Sequence, residues 1–65
     1  MAIAKVIEVL AEGDSVEGAM EAAVKDASKT VRNIRHVYLE NLQGKVAGDK
    51  ITTYRVNAKI TFLIE

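Results

Sequence analysis

Ile51-Thr52-Thr53-Tyr54-Arg55-Val56-Asn57-Ala58-Lys59-Ile60-Thr61-Phe62-Leu63-Ile64 is the stretch that decides the fold. Successive side chains of an extended chain point to opposite faces, so Tyr54, Val56, Ala58, Ile60, Phe62 and Ile64 share one face. Arg55, Asn57, Lys59 and Thr61 share the other. This alternation predicts a strand over residues 51–64, with Ile60 and Phe62 buried against a core.

Immediately upstream, Ala47-Gly48-Asp49-Lys50 supplies a hairpin turn, and Val37 to Val46 has the β-branched and aromatic content of the partner strand. The apolar phase of that strand slips between Leu39 and Leu42, as it does around a bulge. Further back, Val16, Met20, Ala23, Val24, Ala27 and Val31 recur at spacings of three and four, with Glu17, Glu21, Lys25, Ser28, Lys29 and Arg32 mostly opposite. That spacing predicts one amphipathic helix from Val16 to about Arg32, capped by Ser15 and supported by the oriented Glu21/Lys25 pair. Ile3 to Leu10 is rich in Ile and Val and reads as a first strand, apolar on both faces and so covered on both. The expected fold is α+β: one helix against a three-stranded antiparallel sheet, in the order β-α-β-β, as a single domain over residues 1–65.

Lengths then set the architecture. A strand over residues 51–64 extends ~45 Å, whereas a helix of roughly 17 residues covers only ~25 Å. Apolar surface is left over. A chain of 65 residues is also near the size at which folding buries only ~60% of the exposed surface. It has no Cys for disulfides and one His, His36, too few ligands for a structural metal. Self-association is therefore the expected supplement to the core, favoured by a formal net charge of zero.

The same charge balance argues against nucleic acid or an anionic membrane as partner. No apolar run approaches the ~20 residues of a membrane helix. The apolar start from Ala2 to Leu10 is broken by Lys5 and Glu8 and has strand rather than signal-peptide character, so a cytoplasmic location is expected. There is no GxGxxG, P-loop, HExxH, EF-hand or CxxC pattern, and no Ser or Cys has a nearby His and acid, so no enzymatic activity is expected. Lys29, Arg32, Arg35 and His36 form a local basic cluster that complements the helix dipole and has the chemistry to hold a phosphate or carboxylate. Arg55 and Lys59 lie on the polar face of the last strand, which becomes the wall of an inter-subunit cavity in an oligomer.

Taken in order, the chain resembles the dodecin family over nearly all of Ala4 to Ile64. The features that carry the resemblance are the first strand, the Gly13-Asp14-Ser15 turn, and the Ala-rich helix ending in Thr30-Val31-Arg32-Asn33-Ile34-Arg35. A strand containing Gly44, the hairpin, and Thr53-Tyr54-Arg55-Val56 complete it. The family's Gly-Thr-Ser turn is Gly-Asp-Ser here. The resemblance implies a protomer whose sheet wraps its helix, a hollow homododecameric shell, and flavin (riboflavin, FMN or FAD) bound in pairs between subunits. It also implies a Trp that stacks on the isoalloxazine ring and a Gln of the last strand that hydrogen-bonds its polar edge. Those cofactor-binding positions fall on His36 and Arg55, so this is a variant without the stacking Trp. The first functional expectation is a small-molecule binding and storage protein, holding flavin or another flat anionic cofactor between His36, Arg55 and their symmetry copies. The alternative is a structural shell that binds no flavin, with His36 and Arg55 joining subunits through salt bridges or hydrogen bonds.

Overall fold

The structure, a computed structural model, describes residues 3–64. Strand β1 (Ile3–Gly13) is followed by helix α1 (Val16–Ala27), strand β2 (Ile34–Ala47) and strand β3 (Lys50–Ile64). The long alternating strand is central: the sheet order is β1-β3-β2, with both pairings antiparallel. Gly48, at φ 67°, takes the first central place of the β2–β3 turn. A left-handed backbone there is what a two-residue hairpin with Gly first requires.

The bulge expected between Leu39 and Leu42 is present as a register shift between Leu39 and Asn41, which makes Glu40 an extra residue on β2. A second shift, between Ile34 and His36, sets Arg35 out of register.

Helix α1 starts where the sequence places it. Ser15 is extended, and its hydroxyl accepts from the Gly18 amide at 2.9 Å. Its end falls earlier than expected, at Ala27 rather than near Arg32. The Ser28 hydroxyl donates back to the Val24 carbonyl at 2.6 Å, and the amides of Lys29 and Thr30 bond to carbonyls three residues back, on Asp26 and Ala27. This tightening closes the helix. Asn33, at φ 62°, then turns the chain into β2.

The buried stripe of α1 is Ala19, Ala23 and Ala27, whereas Val16, Met20 and Val24 are only half-buried. Small side chains every fourth residue let the helix axis approach the sheet, and the larger apolar residues flank that line of contact. At the end of β1 the approach is close: a Cβ on Gly13 would lie 2.8 Å from the Ala19 amide nitrogen.

Across the interface, Val56, Ala58 and Ile60 of β3 are completely buried, with Ile7, Val9, Ala11, Val37 and Leu39 packed around them. Phe62, expected to be buried, is only half-buried in the single chain, as is Tyr54, and Ile64 is exposed. The reason is length. A helix of 12 residues spans ~18 Å and covers only the middle of a strand ~50 Å long.

The chain measures 51 × 19 × 13 Å, with a radius of gyration of 13.4 Å. A self-contained globule of this length would have a radius near 11 Å. Its accessible surface, 4912 Å², likewise exceeds by roughly 800 Å² the area expected for a compact monomer of this mass. Among the described residues, four of the six buried ones are alanines, so the core contributes little apolar area for its residue count. Meanwhile Ile3, Val6, Leu10, Tyr38, Leu42, Val46 and Ile51 are all more than half exposed. Val46 and Ile51 belong to the hairpin arm that runs past the end of β1, where β3 is paired on one side only.

Candidate functional site

Alternation and register place the polar residues of β3 on the sheet face away from α1. On β1, Val6, Glu8, Leu10 and Glu12 lie opposite Thr61, Lys59, Asn57 and Arg55. On β2, His36, Tyr38, Asn41, Gln43 and Lys45 lie opposite Thr61, Lys59, Asn57, Arg55 and Thr53. This face holds both positions singled out in the sequence, at different places.

Arg55 sits mid-face. Its Nε donates to Glu12 Oε2 at 3.1 Å, and both side chains are about half exposed. The acidic neighbour that a buried or half-buried guanidinium seeks is thus supplied within the chain, by a residue 43 positions away. Arg55 borders a depression of about 350 Å³, lined by Glu12, Gln43, Gly44, Lys45 and Thr53. It also borders a smaller one, about 130 Å³, formed with Leu10, Asn41, Gln43 and Asn57. In the latter region Asn57 Oδ1 is buried and accepts no hydrogen bond among the described residues. An orphaned carbonyl oxygen of that kind costs free energy until a donor reaches it.

His36 lies toward the other end of the face, opposite Thr61 and exposed. Tyr38, the next residue on the same face, is 65% exposed, so two aromatic rings stand in line about 7 Å apart along β2. The levels of His36 and Arg55 are six residue steps apart along β3, from Thr61 to Arg55, or ~20 Å. One chain therefore does not bring His36 and Arg55 together. A single flat ring does not span that distance.

Between these two positions the face carries a second charge ladder. Lys59 Nζ lies 2.8 Å from Glu40 Oε1 and opposite Glu8. The hydrogen bond to the Glu40 carboxylate, and next its charge, hold the Lys59 ammonium above the usual lysine range. The basic run Lys29, Arg32, Arg35 and His36 is spread out by the fold. Lys29 pairs with Asp26 at 3.7 Å in the helix-end turn, and Arg35 occupies the bulge. No group of His, Cys, Asp or Glu able to hold a metal ion occurs among the described residues, and no helix is long and apolar enough to cross a membrane.

Glu12, Gln43, Asn57 and Tyr38 are members of this face that sequence reasoning did not single out. Tyr38 carried a signal, its two-residue spacing from His36. Glu12 and Gln43 become neighbours of Arg55 only through the strand register.

Comparison with known proteins agrees with this architecture. The Trp-to-Phe variant of Thermus thermophilus dodecin superposes with a TM-score of 0.90 at 23% identity, covering 100% of this chain and 98% of that one. An Arg-to-Ala variant of the same dodecin gives the same values. No curated protein matches the sequence. The Dodecin family model matches residues 3–65, and the chain belongs to the dodecin family.

Proposed function

We propose that the protein is a homododecameric binding and storage protein that holds flavin, or another flat cofactor, between subunits on the outer sheet face. The observation that carries this reading is the incomplete protomer: a thin alanine core under a 51 Å chain, with large apolar residues exposed on both sheet faces. Such a surface is covered when copies associate, and symmetry then sets one copy's outer face against another's.

The side chains of that face suit a flat ring with a polar edge. His36 and Tyr38 offer ring faces, while Arg55 and the amides of Gln43 and Asn57 offer donors and acceptors for the edge. When bound, a flavin would add the capacity to accept and release electrons; its retention is the task of these side chains. Because Arg55 is paired with Glu12 inside the chain, it is less available for a salt bridge between subunits, which favours the binding reading over the purely structural shell.

Native mass spectrometry of protein taken directly from cells tests assembly and ligand together. The expected spectrum is a homododecamer with retained small molecules; a folded monomer at micromolar concentration would refute the assembly.

Stacking gives a second test. Imidazole covers less of an aromatic ligand than indole does, so His36→Trp is expected to strengthen riboflavin binding by about 1–3 kcal/mol, roughly 5- to 150-fold. Fluorescence titration reads it directly. Riboflavin binding that responds to neither His36→Trp nor His36→Ala would place the ligand elsewhere.

A further inference from the structure

We propose that Glu12 sets ligand selectivity on this face: the Glu12–Arg55 pair accepts a ring N–H and donates to an adjacent carbonyl, selecting a neutral planar heterocycle over a planar anion. The inference rests on the reading of the outer sheet face as the ligand-binding face. It alters the expectation, drawn from Arg55 alone, that the ligand is anionic.

Glu12 and Arg55 meet through one hydrogen bond, Nε to Oε2 at 3.1 Å. A guanidinium has five N–H donors and a carboxylate two acceptor oxygens. The two terminal nitrogens of Arg55 and Oε1 of Glu12 are therefore left for other partners, and both residues line the larger depression while staying about half exposed. Gln43, directly opposite Arg55, lines both depressions, as Arg55 itself does. The linings of the two depressions combine acceptors (the Glu12 carboxylate and the Asn57 amide) with donors (the Arg55 guanidinium and the Gln43 amide).

A planar anion meets this arrangement badly. Its charge would approach the Glu12 carboxylate as closely as the guanidinium, so repulsion from Glu12 offsets what the two remaining guanidinium nitrogens contribute. Lys45, at the rim of the larger depression, is the remaining cation there and suits an anionic tail better than an anionic ring. A neutral ring bearing an N–H next to a carbonyl satisfies both halves of the pair without separating them.

The test combines ligand and side-chain changes. The probes are riboflavin, 3-methylriboflavin, whose imide N–H is blocked, and anthraquinone-2-sulfonate, a planar anion with no ring N–H. Dissociation constants are measured by equilibrium dialysis on the assembled protein and on the variants Glu12→Ala and Glu12→Gln. For the wild type, N-methylation is expected to weaken binding at least tenfold, with the sulfonate weaker than riboflavin. In Glu12→Ala the methylation penalty should vanish and the sulfonate should gain at least tenfold, because Arg55 is released. In Glu12→Gln, which keeps an acceptor oxygen but no charge, the methylation penalty should persist while the sulfonate still gains. Riboflavin binding with the same methylation penalty in wild type and Glu12→Ala would overturn the role of Glu12 and leave the binding face intact. Failure of every probe to bind the assembled wild type would overturn the binding face, and this inference with it.

Discussion

Ile60→Ala is expected to destabilise the protein by about 2–5 kcal/mol, the range for deleting a large buried aliphatic side chain. Ile60 is completely buried and, among the described residues, is the largest in a buried core otherwise made of Val56 and four alanines. It pairs with Ile7 on β1 and Val37 on β2, so its side chain ties all three strands to the helix. Neighbouring alanines have little side chain with which to close the cavity. A chain of this size has a total stability of only about 3–10 kcal/mol, so the variant loses much of it and assembly is expected to fail with folding. Denaturant melts at fixed protein concentration measure the effect; a loss below about 1 kcal/mol would mean that the centre of the sheet does not carry the core.

Gly13→Ala is expected to cost about 3 kcal/mol, the upper part of the range for overpacking. On entropic grounds alone the substitution would stabilise, by about 0.4–1 kcal/mol, since alanine restricts the unfolded chain and Gly13 does not need a left-handed backbone. The sign is reversed by contact. The added Cβ would sit 2.8 Å from the Ala19 nitrogen and 3.0 Å from the Gly18 carbonyl carbon, both backbone atoms held in the first turns of α1. Neither can rotate away, so β1 and the helix must separate. Comparing Gly13→Ala with Gly48→Ala isolates this effect, because a Cβ at Gly48 meets nothing within 4 Å and is opposed only by its φ of 67°. Thermal melts in which the Gly13 variant proves as stable as the parent would show that the helix has room to rise from the sheet.

In the sequence, a side-chain period of two made the long central strand legible, and the turn residues located the hairpin. The slip after Leu39 revealed the bulge at Glu40. The unequal lengths of strand and helix foretold that large apolar residues would stay exposed. Those features depend on neighbours along the chain. The end of the helix was harder to read, because Lys29, Val31 and Arg32 suit a helix terminus whether or not the backbone closes at Ala27.

Burial and the composition of the candidate site belong to tertiary structure. Periodicity gives a helical stripe a width but does not say which edge of it touches the sheet; the close approach at Gly13 selected the Ala19, Ala23 and Ala27 line and left Met20 and Val24 at the side. By itself the sequence determined that Arg55 projects from the polar face of the last strand. Only the register of β1 against β3 decided that Glu12 stands beside it and that His36 lies some 20 Å away, since a shift of even one residue moves every side chain to the other face.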